Sequence, residues 1–266
     1  MSVTILRPRQ RVYRLGDISS MTEQRPSIPA AAAVPWSLDY ALAAPYVDCG
    51  TDASIVGLNA GAFTVDVYWR CPPLTDLGNY VYYSIISQGD VWWFGGTQGW
   101  GLQVQTTVLP GAVVRFTTSN GSGTRSSSAV NVTLSEGTWY YVRGRHLGLP
   151  GWSNYCYVSV NAGAEGSQVM NGPGATSAEP LYHGRLGGAT PYYLKENVCY
   201  AHVWDTNKGT LGSVPTSPFA VDGNTAARWI HSDGSGLTLT DDSGNGNHGS
   251  ITGCIWTPIV PGGWTI

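Results

Sequence analysis

The sequence predicts an all-β protein whose body is a two-sheet antiparallel sandwich. Charged residues make up only 12% of the chain, well below the average for soluble proteins, while 35 Gly, 11 Trp and 15 Tyr favour strands and turns over helices. From Trp36 onward, short runs of alternating apolar and polar residues are separated by Gly, Asn and Ser. These runs show no convincing amphipathic helix. The 266 residues therefore predict one large β domain with an arm.

Residues 1–36 are predicted to form an extended basic arm and a Pro/Ala spacer. Five arginines and two acidic residues give residues 1–25 a charge of +3. Because the net charge of the chain is −3, the remaining residues carry a charge of −6. Three prolines around four alanines favour an extended spacer. Phosphate binding is weakly supported, because no Lys or interleaved aromatics accompany the arginines; bidentate pairing with carboxylates of a neighbouring subunit is preferred. The predicted assembly residues are Arg7, Arg9, Arg11 and Arg14.

Residues 37–266 are predicted to form the sandwich from about eleven strands. In "AFTVDVYWRC", Phe63, Val65, Val67 and Trp69 should face the core, and the residues between them should face outward. The stretch "SNGSGTRSSS" is predicted to be a flexible loop. The other predicted strands are, in order, "PYVDCG", "YVYYSIISQG", "WGLQVQTTV", "AVVRFTTS", "TWYYVRGRH", "NYCYVSVNAG", "PLYHGRLGG", "VCYAHVWDTN", "AARWIHSDG" and "GSITGCIW".

Several of these segments, in this order, resemble the laminin-G-like, concanavalin A-like jelly-roll superfamily. The resemblance covers roughly residues 36–256 and lies in "SLDYALAAPYVDCG", "GAFTVDVYWR", "LSEGTWYYVRGRH" and, most specifically, "DDSGNGNHGSITG". It implies a jelly-roll sandwich. In the commoner family layout the Trp strand and the Ser-Gly-Asn-Gly-Asn loop come first, whereas here they lie near the C-terminus. This arrangement, like a circular permutation, predicts that the last strands lie beside the first.

The polar loop offers two interpretations. Asp241, Ser243 and Asn245 alternate before Gly246, as in the front half of an EF-hand calcium loop, but position twelve is Thr252 rather than Glu. One structural calcium on Asp241, Asn245 and Asn247 is one interpretation, and the family resemblance is compatible with it. The other is a network of Asx turns without any cofactor.

Four tryptophans are predicted to contact a glycan or a protein partner. Trp92, Trp93 and Trp100 lie in the Gly-rich hairpin "GDVWWFGGTQGWG", and Trp152 lies in "GLPGWSN". Adjacent Trp92 and Trp93 cannot both face the core of an extended strand. Exposed aromatic faces suit sugar rings and protein interfaces. The alternative is that these rings cap the end of the sandwich.

The sequence does not predict an enzyme. Glucanases of the superfamily carry acidic residues alternating along one strand, as two-carboxylate hydrolysis requires. Here none of the five Glu has another acid two residues away, and no Gly-x-Ser-x-Gly elbow is present.

The five Cys are widely spaced and odd in number, which favours free buried thiols in a reducing compartment and leaves long-range disulfides open.

These observations predict a structural protein of a large assembly. "MSVTILRPRQRVYRLGD" has no apolar stretch typical of an export signal, so synthesis in a host cytoplasm and location in a virion are expected. The family resemblance extends to modules that phages place on virion surfaces, such as capsid decoration or tail proteins. Expected partners are other virion subunits, a second copy of this chain or a cell-surface glycan, but neither nucleic acid nor membrane. The alternative function is a carbohydrate-binding adhesin or receptor-binding module.

Overall fold

The computed structural model describes residues 36–40, 44–89, 98–121, 125–149, 154–170, 174–187 and 193–265. The predicted arm lies outside the described residues except for Trp36. In the part of the chain that is described, strands dominate, because the alternating apolar runs pair into two antiparallel sheets. None of the described helices is long and apolar enough to cross a membrane.

Sheet A has the strand order β10-β9-β8-β3-β12-β1-β16, and β13 pairs with β12 beside this path. Its strands are β1 (Ser37–Asp39), β3 (Phe63–Arg70), β8 (Trp139–His146), β9 (Asn154–Val160), β10 (Gly166–Met170), β12 (Asn197–Trp204), β13 (Thr225–Ile230) and β16 (Ile255–Thr257).

Sheet B has the strand order β14-β15-β2-β11-β4-β5-β6-β7. Its strands are β2 (Tyr46–Asp48), β4 (Tyr82–Gln88), β5 (Trp100–Thr106), β6 (Gly111–Ser119), β7 (Arg125–Thr133), β11 (Leu181–His183), β14 (Thr238–Leu239) and β15 (Gly249–Thr252). The two-sheet antiparallel jelly-roll sandwich predicted from the sequence is therefore confirmed.

Helical structure in the described residues is limited to short connections between strands. Helix α1 (Ala53–Val56) begins after Asp52, whose carboxylate accepts a hydrogen bond from the Ser54 N–H at 2.9 Å. This contact satisfies an otherwise unpaired donor of the first turn. Two 3-10 turns follow at Leu58–Ala60 and Leu74–Asp76.

The main core lies between the two sheets and is anchored by the inward residues of β3. Phe63, Val65, Val67 and Trp69 are all buried, as the alternation predicts. The Phe63 ring lies 5.6 Å from the Phe116 ring of sheet B, measured between centroids. Burying such aromatic side chains stabilises a sandwich by roughly 1.5–3 kcal/mol each.

The outward residues Thr64, Asp66 and Tyr68 of β3 are also buried, and Arg70 is half-buried, which corrects the expectation that this face meets solvent. A crossing segment, residues 206–222, lies over this outer face of sheet A. The Tyr68 hydroxyl donates to the Pro215 carbonyl oxygen at 3.2 Å, and the Thr64 hydroxyl donates to the Thr206 carbonyl oxygen at 2.9 Å. A second, smaller hydrophobic cluster fills the space; it includes Tyr68, Tyr141, Tyr200, Trp264, Leu211 and Phe219.

The C-terminal strands lie beside the first described strands, which confirms the predicted closure of the sandwich. β16 pairs with β1, placing Trp256 opposite Leu38. β15 pairs with β2, placing Ile251 opposite Val47. These pairings cover β1 and β2, so that β16 and β14 become edge strands of the two sheets.

Two local expectations need correction or completion. Part of the predicted loop "SNGSGTRSSS" belongs to β7, where Ser126–Ser128 pair with β6. The Ser128 hydroxyl donates to the Phe116 carbonyl oxygen at 3.3 Å, so a serine-rich run is accommodated in a ladder.

All five cysteines are free thiols, and four of them are buried, as favoured from the sequence.

Candidate functional site

Only some of the predicted site residues fall within the described chain. Arg7, Arg9, Arg11, Arg14, Trp92, Trp93 and Trp152 lie outside it. Trp100 is described, and its predicted role in glycan or partner binding is wrong. Its side chain is 0% exposed, and its ring centroid lies 5.1 Å from that of Phe63 inside the core. A ring enclosed in this way cannot offer a face to a sugar.

The carboxylate of Asp241 organises the polar loop between β14 and β15. Its Oδ1 accepts the Arg228 N–H at 3.0 Å and the Ser243 N–H at 2.9 Å. Its Oδ2 accepts the Ser243 hydroxyl and the Asn247 N–H, both at 2.8 Å. Four hydrogen bonds therefore converge on one largely buried carboxylate, three from the loop itself and one from β13.

The two asparagines of this loop cover the edge strand β13. The Asn245 side-chain amide donates to the carbonyl oxygens of Thr225 at 2.8 Å and Ala226 at 2.9 Å. The Asn247 amide also donates to Ala226, at 2.9 Å, and to the Ser54 hydroxyl. The loop thus supplies partners to backbone groups of β13 that would otherwise be open to another strand.

These contacts correspond to the Asx-turn interpretation of the loop. The oxygens proposed as calcium ligands at Asp241 already accept N–H and O–H donors, and Asn245 and Asn247 direct amide donors at carbonyl oxygens. Within the described ranges, no group of three His, Cys, Asp or Glu side chains could hold a metal ion. A calcium ion would therefore have to displace hydrogen-bond donors from Asp241, whereas Asn247 Oδ1 is buried without a hydrogen-bond partner among the described residues.

A pocket of about 490 Å³ opens between the crossing segment and the outer face of sheet A. Trp204 of β12 lies in its wall with Arg143 of β8, and the crossing segment contributes Lys208, Leu211 and Phe219. The wall also includes Thr210, Ala220, Val221 and Asp222. Its size and largely apolar lining with a few polar groups are typical of a small-ligand site.

A buried ion pair fixes one side of this pocket. The Arg143 Nε and Nη2 donate to the two carboxylate oxygens of Asp66 at 2.7 and 2.6 Å. The Tyr141 hydroxyl donates to the same carboxylate at 2.5 Å, and Arg143 Nη1 donates to the Gly209 carbonyl oxygen at 3.2 Å. Burial raises the pKa of the Asp66 carboxyl, while the hydrogen bonds from Arg143 and Tyr141 oppose that rise.

A second ion pair lies at the mouth. Lys208 Nζ donates to Asp222 Oδ2 at 2.6 Å, and the same ammonium lies 5.7 Å from the Trp204 ring centroid. The hydrogen bond from Lys208 lowers the pKa of Asp222. Asp222 is exposed, with 45% of its side chain accessible. It is the one acidic side chain among the described pocket-lining residues.

His202 supports the Trp204 ring from within sheet A. Their rings stack with centroids 3.6 Å apart. The imidazole is held by the Tyr200 hydroxyl at 2.9 Å and the Thr225 hydroxyl at 3.1 Å. Burial lowers the pKa of His202 to about 3, so the ring is neutral near pH 7. The aromatic wall is therefore rigid and adds no charge.

This pocket has no signature in the sequence. Its residues come from β8, β12 and two parts of the crossing segment, which are up to 79 positions apart between Arg143 and Asp222. "VCYAHVWDTN" was predicted as a strand, but alternation gives no sign that a later, proline-broken stretch folds over its outer face. Only that crossing makes a cavity of an otherwise flat sheet surface.

Comparisons with known proteins give distant likenesses. No protein-family model matches the chain, and no curated protein sequence matches it either. A heptameric pentraxin from Limulus polyphemus is 14% identical, with TM-score 0.43, covering 68% of this chain and 80% of that one. A carbohydrate-binding module of a Ruminococcus gnavus sialidase, bound to sialyllactose, is 9% identical, with TM-score 0.45, covering 68% and 94%.

A third likeness is to tailspike protein 2 of an Escherichia coli O157:H7 bacteriophage. It is 13% identical, with TM-score 0.41, and the match covers 66% of this chain but only 26% of the tailspike. This chain therefore corresponds to about a quarter of that protein's length. At such scores and identities, the three likenesses carry no argument about what this chain binds.

Proposed function

We propose that this protein is a non-enzymatic binding module that holds a saccharide in the pocket beneath the crossing segment. The observation that carries the proposal is the composition of the wall. An aromatic and aliphatic surface, formed by half-buried Phe219 and Leu211 over the buried Trp204 ring, lies beside the polar groups of Lys208 and Asp222. Saccharides combine apolar ring faces with hydroxyl groups, and such a wall complements both.

The same pocket supports a binding role over hydrolysis. Glycoside hydrolysis requires two carboxyl groups on either side of the bond that is cleaved. Asp222 is the single acid in the described lining. Asp66 is buried behind Arg143, with both oxygens engaged, and is therefore not placed to act on a bound ligand.

Substitution of the aromatic wall tests the proposal. Phe219→Ala removes a half-buried ring from the crossing segment, and we expect at least a tenfold loss of glycan-array signal. Exposed Val108→Ala, on the β5–β6 turn, is the matched control and should bind as the wild type does. Both variants should keep a melting temperature within a few degrees of the wild type. Equal binding by wild type and Phe219→Ala would place the ligand elsewhere.

A second candidate function is structural, as a virion protein held in its particle by the N-terminal arm. The observation in its favour is the uneven charge, +3 over residues 1–25 against −6 over the remainder. Arginine forks pair well with carboxylates of another subunit. A virion decoration or tail protein that also binds a glycan would combine both functions.

Deletion of residues 1–30 separates the arm from the sandwich. We expect the truncated protein to fold with an unchanged far-ultraviolet spectrum and to lose incorporation into its particle. Charge reversal of Arg7, Arg9 and Arg11 to Glu should have the same effect in the full chain. Incorporation of both variants at wild-type levels would exclude an anchoring role for the arm.

A further inference from the structure

The charges of the pocket are paired within the protein. Arg143 is neutralised by Asp66, and Lys208 by Asp222, each at 2.6 Å. His202 behind the aromatic wall is kept neutral, because burial lowers its pKa to about 3. The net charge of the two ion pairs and the His202 ring is therefore zero near pH 7.

The donors of Arg143 are also committed within the protein. Two of its nitrogens face the carboxylate of Asp66, and the third donates to the Gly209 carbonyl oxygen. Recognition of a ligand carboxylate by arginine depends on a pair of parallel N–H groups that face the ligand. Here the fork of Nε and Nη2 faces into sheet A, and only 4% of the Arg143 side chain is exposed, so an acidic ligand does not reach that fork.

Asp222 is the polar group best placed to select the ligand. Its Oδ2 accepts Lys208, and its Oδ1 accepts the Asn224 N–H at 3.0 Å and the Thr225 hydroxyl at 3.3 Å. Because 45% of the side chain is exposed, the carboxylate retains acceptor capacity on the solvent side. A carboxylate accepts hydrogen bonds from ligand hydroxyls and repels a ligand carboxylate at short range. Asp222 therefore favours hydroxyl-rich ligands and disfavours anionic ones.

We propose that the pocket selects an uncharged hexose over an acidic sugar, with Asp222 as the residue that determines this specificity. The inference rests on the proposed saccharide-binding function and names the ligand class of the same pocket. It follows from the two internal ion pairs, the inward Arg143 fork and the exposed Asp222 carboxylate. A neutral pyranose packs its apolar face on Phe219 and Leu211 and donates a hydroxyl to Asp222.

The test compares paired glycans that differ in one terminal residue. The full-length protein is titrated with oligosaccharides that end either in a neutral hexose or in the corresponding uronic acid, at low and at high salt. We expect at least tenfold tighter binding of a neutral ligand, with little dependence on salt. Equal or tighter binding of the uronic acid would overturn the inference.

Asp222→Asn is the informative variant. It leaves Lys208 without its anionic partner, so we expect the preference for neutral ligands to shrink at least fivefold and a salt-dependent affinity for the uronic acid to appear. Asp76→Asn, an exposed acid on a separate surface, is the charge-matched control and should behave as the wild type does. An unchanged preference in Asp222→Asn would overturn the role of Asp222.

Lys208→Gln makes the opposite change and keeps the test informative if Asp222→Asn folds poorly. Removal of the ammonium leaves the pocket negative, and we expect uronic acid binding to weaken further while neutral binding stays within threefold of wild type. Binding of acidic sugars alone would overturn only the ligand class. Absence of binding to every saccharide would overturn the proposed function, and the inference with it.

Discussion

The carboxylate of Asp241 accepts the backbone N–H of Arg228 at 3.0 Å, which joins the polar loop to the edge strand β13. The adjacent Asp242 N–H donates to the Arg228 carbonyl oxygen at 2.9 Å. Both backbone groups of Arg228 are therefore satisfied by the loop, although within the described chain β13 has only one ladder partner, β12. The loop functions as an edge cover for sheet A.

Removal of the Asp241 carboxylate should destabilise the sandwich. Asp241→Ala leaves four donors without their acceptor, and we expect a loss of roughly 2–4 kcal/mol in the free energy of unfolding, measured by urea denaturation. Asp241→Asn keeps one acceptor oxygen, so its free energy of unfolding should lie between those of the wild type and Asp241→Ala. Equal stability of Asp241→Ala and wild type would show that the loop does not secure β13.

Calcium should leave the melting temperature unchanged. The carboxylate oxygens of Asp241 already accept four hydrogen bonds, so a bound ion would have to displace donors from both oxygens. Thermal melts with millimolar calcium and with EDTA are expected to coincide within one degree. A calcium-dependent rise of several degrees, abolished in Asp241→Asn, would support the calcium interpretation instead.

Trp100 should be a stability residue. Its ring packs with Phe63 and Phe116 in the main core. We expect Trp100→Ala to cost roughly 3–5 kcal/mol of unfolding free energy, and Trp100→Phe substantially less because most of the volume remains. Calorimetry measures both. A Trp100→Ala protein with wild-type melting and no glycan binding would contradict the core assignment.

Stability should fall on acidification below about pH 6.5. Burial lowers the pKa of both His146 and His231 from 6.5 to about 4 in the folded protein. Between these pH values the unfolded chain binds more protons than the folded chain, so the free energy of unfolding decreases as the pH decreases. The loss reaches up to roughly 3 kcal/mol per histidine.

Urea denaturation at several pH values between 4 and 7 measures this dependence. His231→Gln removes one of the titrating groups while it keeps a polar side chain at the same place. Its stability should therefore decline less steeply with falling pH than that of the wild type. Identical slopes would mean that His231 does not titrate differently in the folded and unfolded states.

The strands and the closure of the sandwich could be predicted from the sequence. Alternation along β3 identified Phe63, Val65, Val67 and Trp69 as core residues, because successive side chains of a strand point to opposite faces. Alternation is a local property of the chain, which short-range patterns record. The pairing of the C-terminal strands with the first ones was predicted instead from the resemblance, because the polar loop after Trp229 comes first in the commoner family layout.

The place of the pocket and the contacts of the polar loop follow only from the tertiary structure. Alternation shows that Asp66 and Tyr68 leave the main core, but it does not show that residues 206–222 cover them. The same holds for Trp100, whose hairpin sequence is typical of an exposed aromatic loop although its ring is enclosed by Phe63 and Phe116. These outcomes depend on contacts between residues far apart in the chain, and a pattern of neighbouring residues carries no record of them.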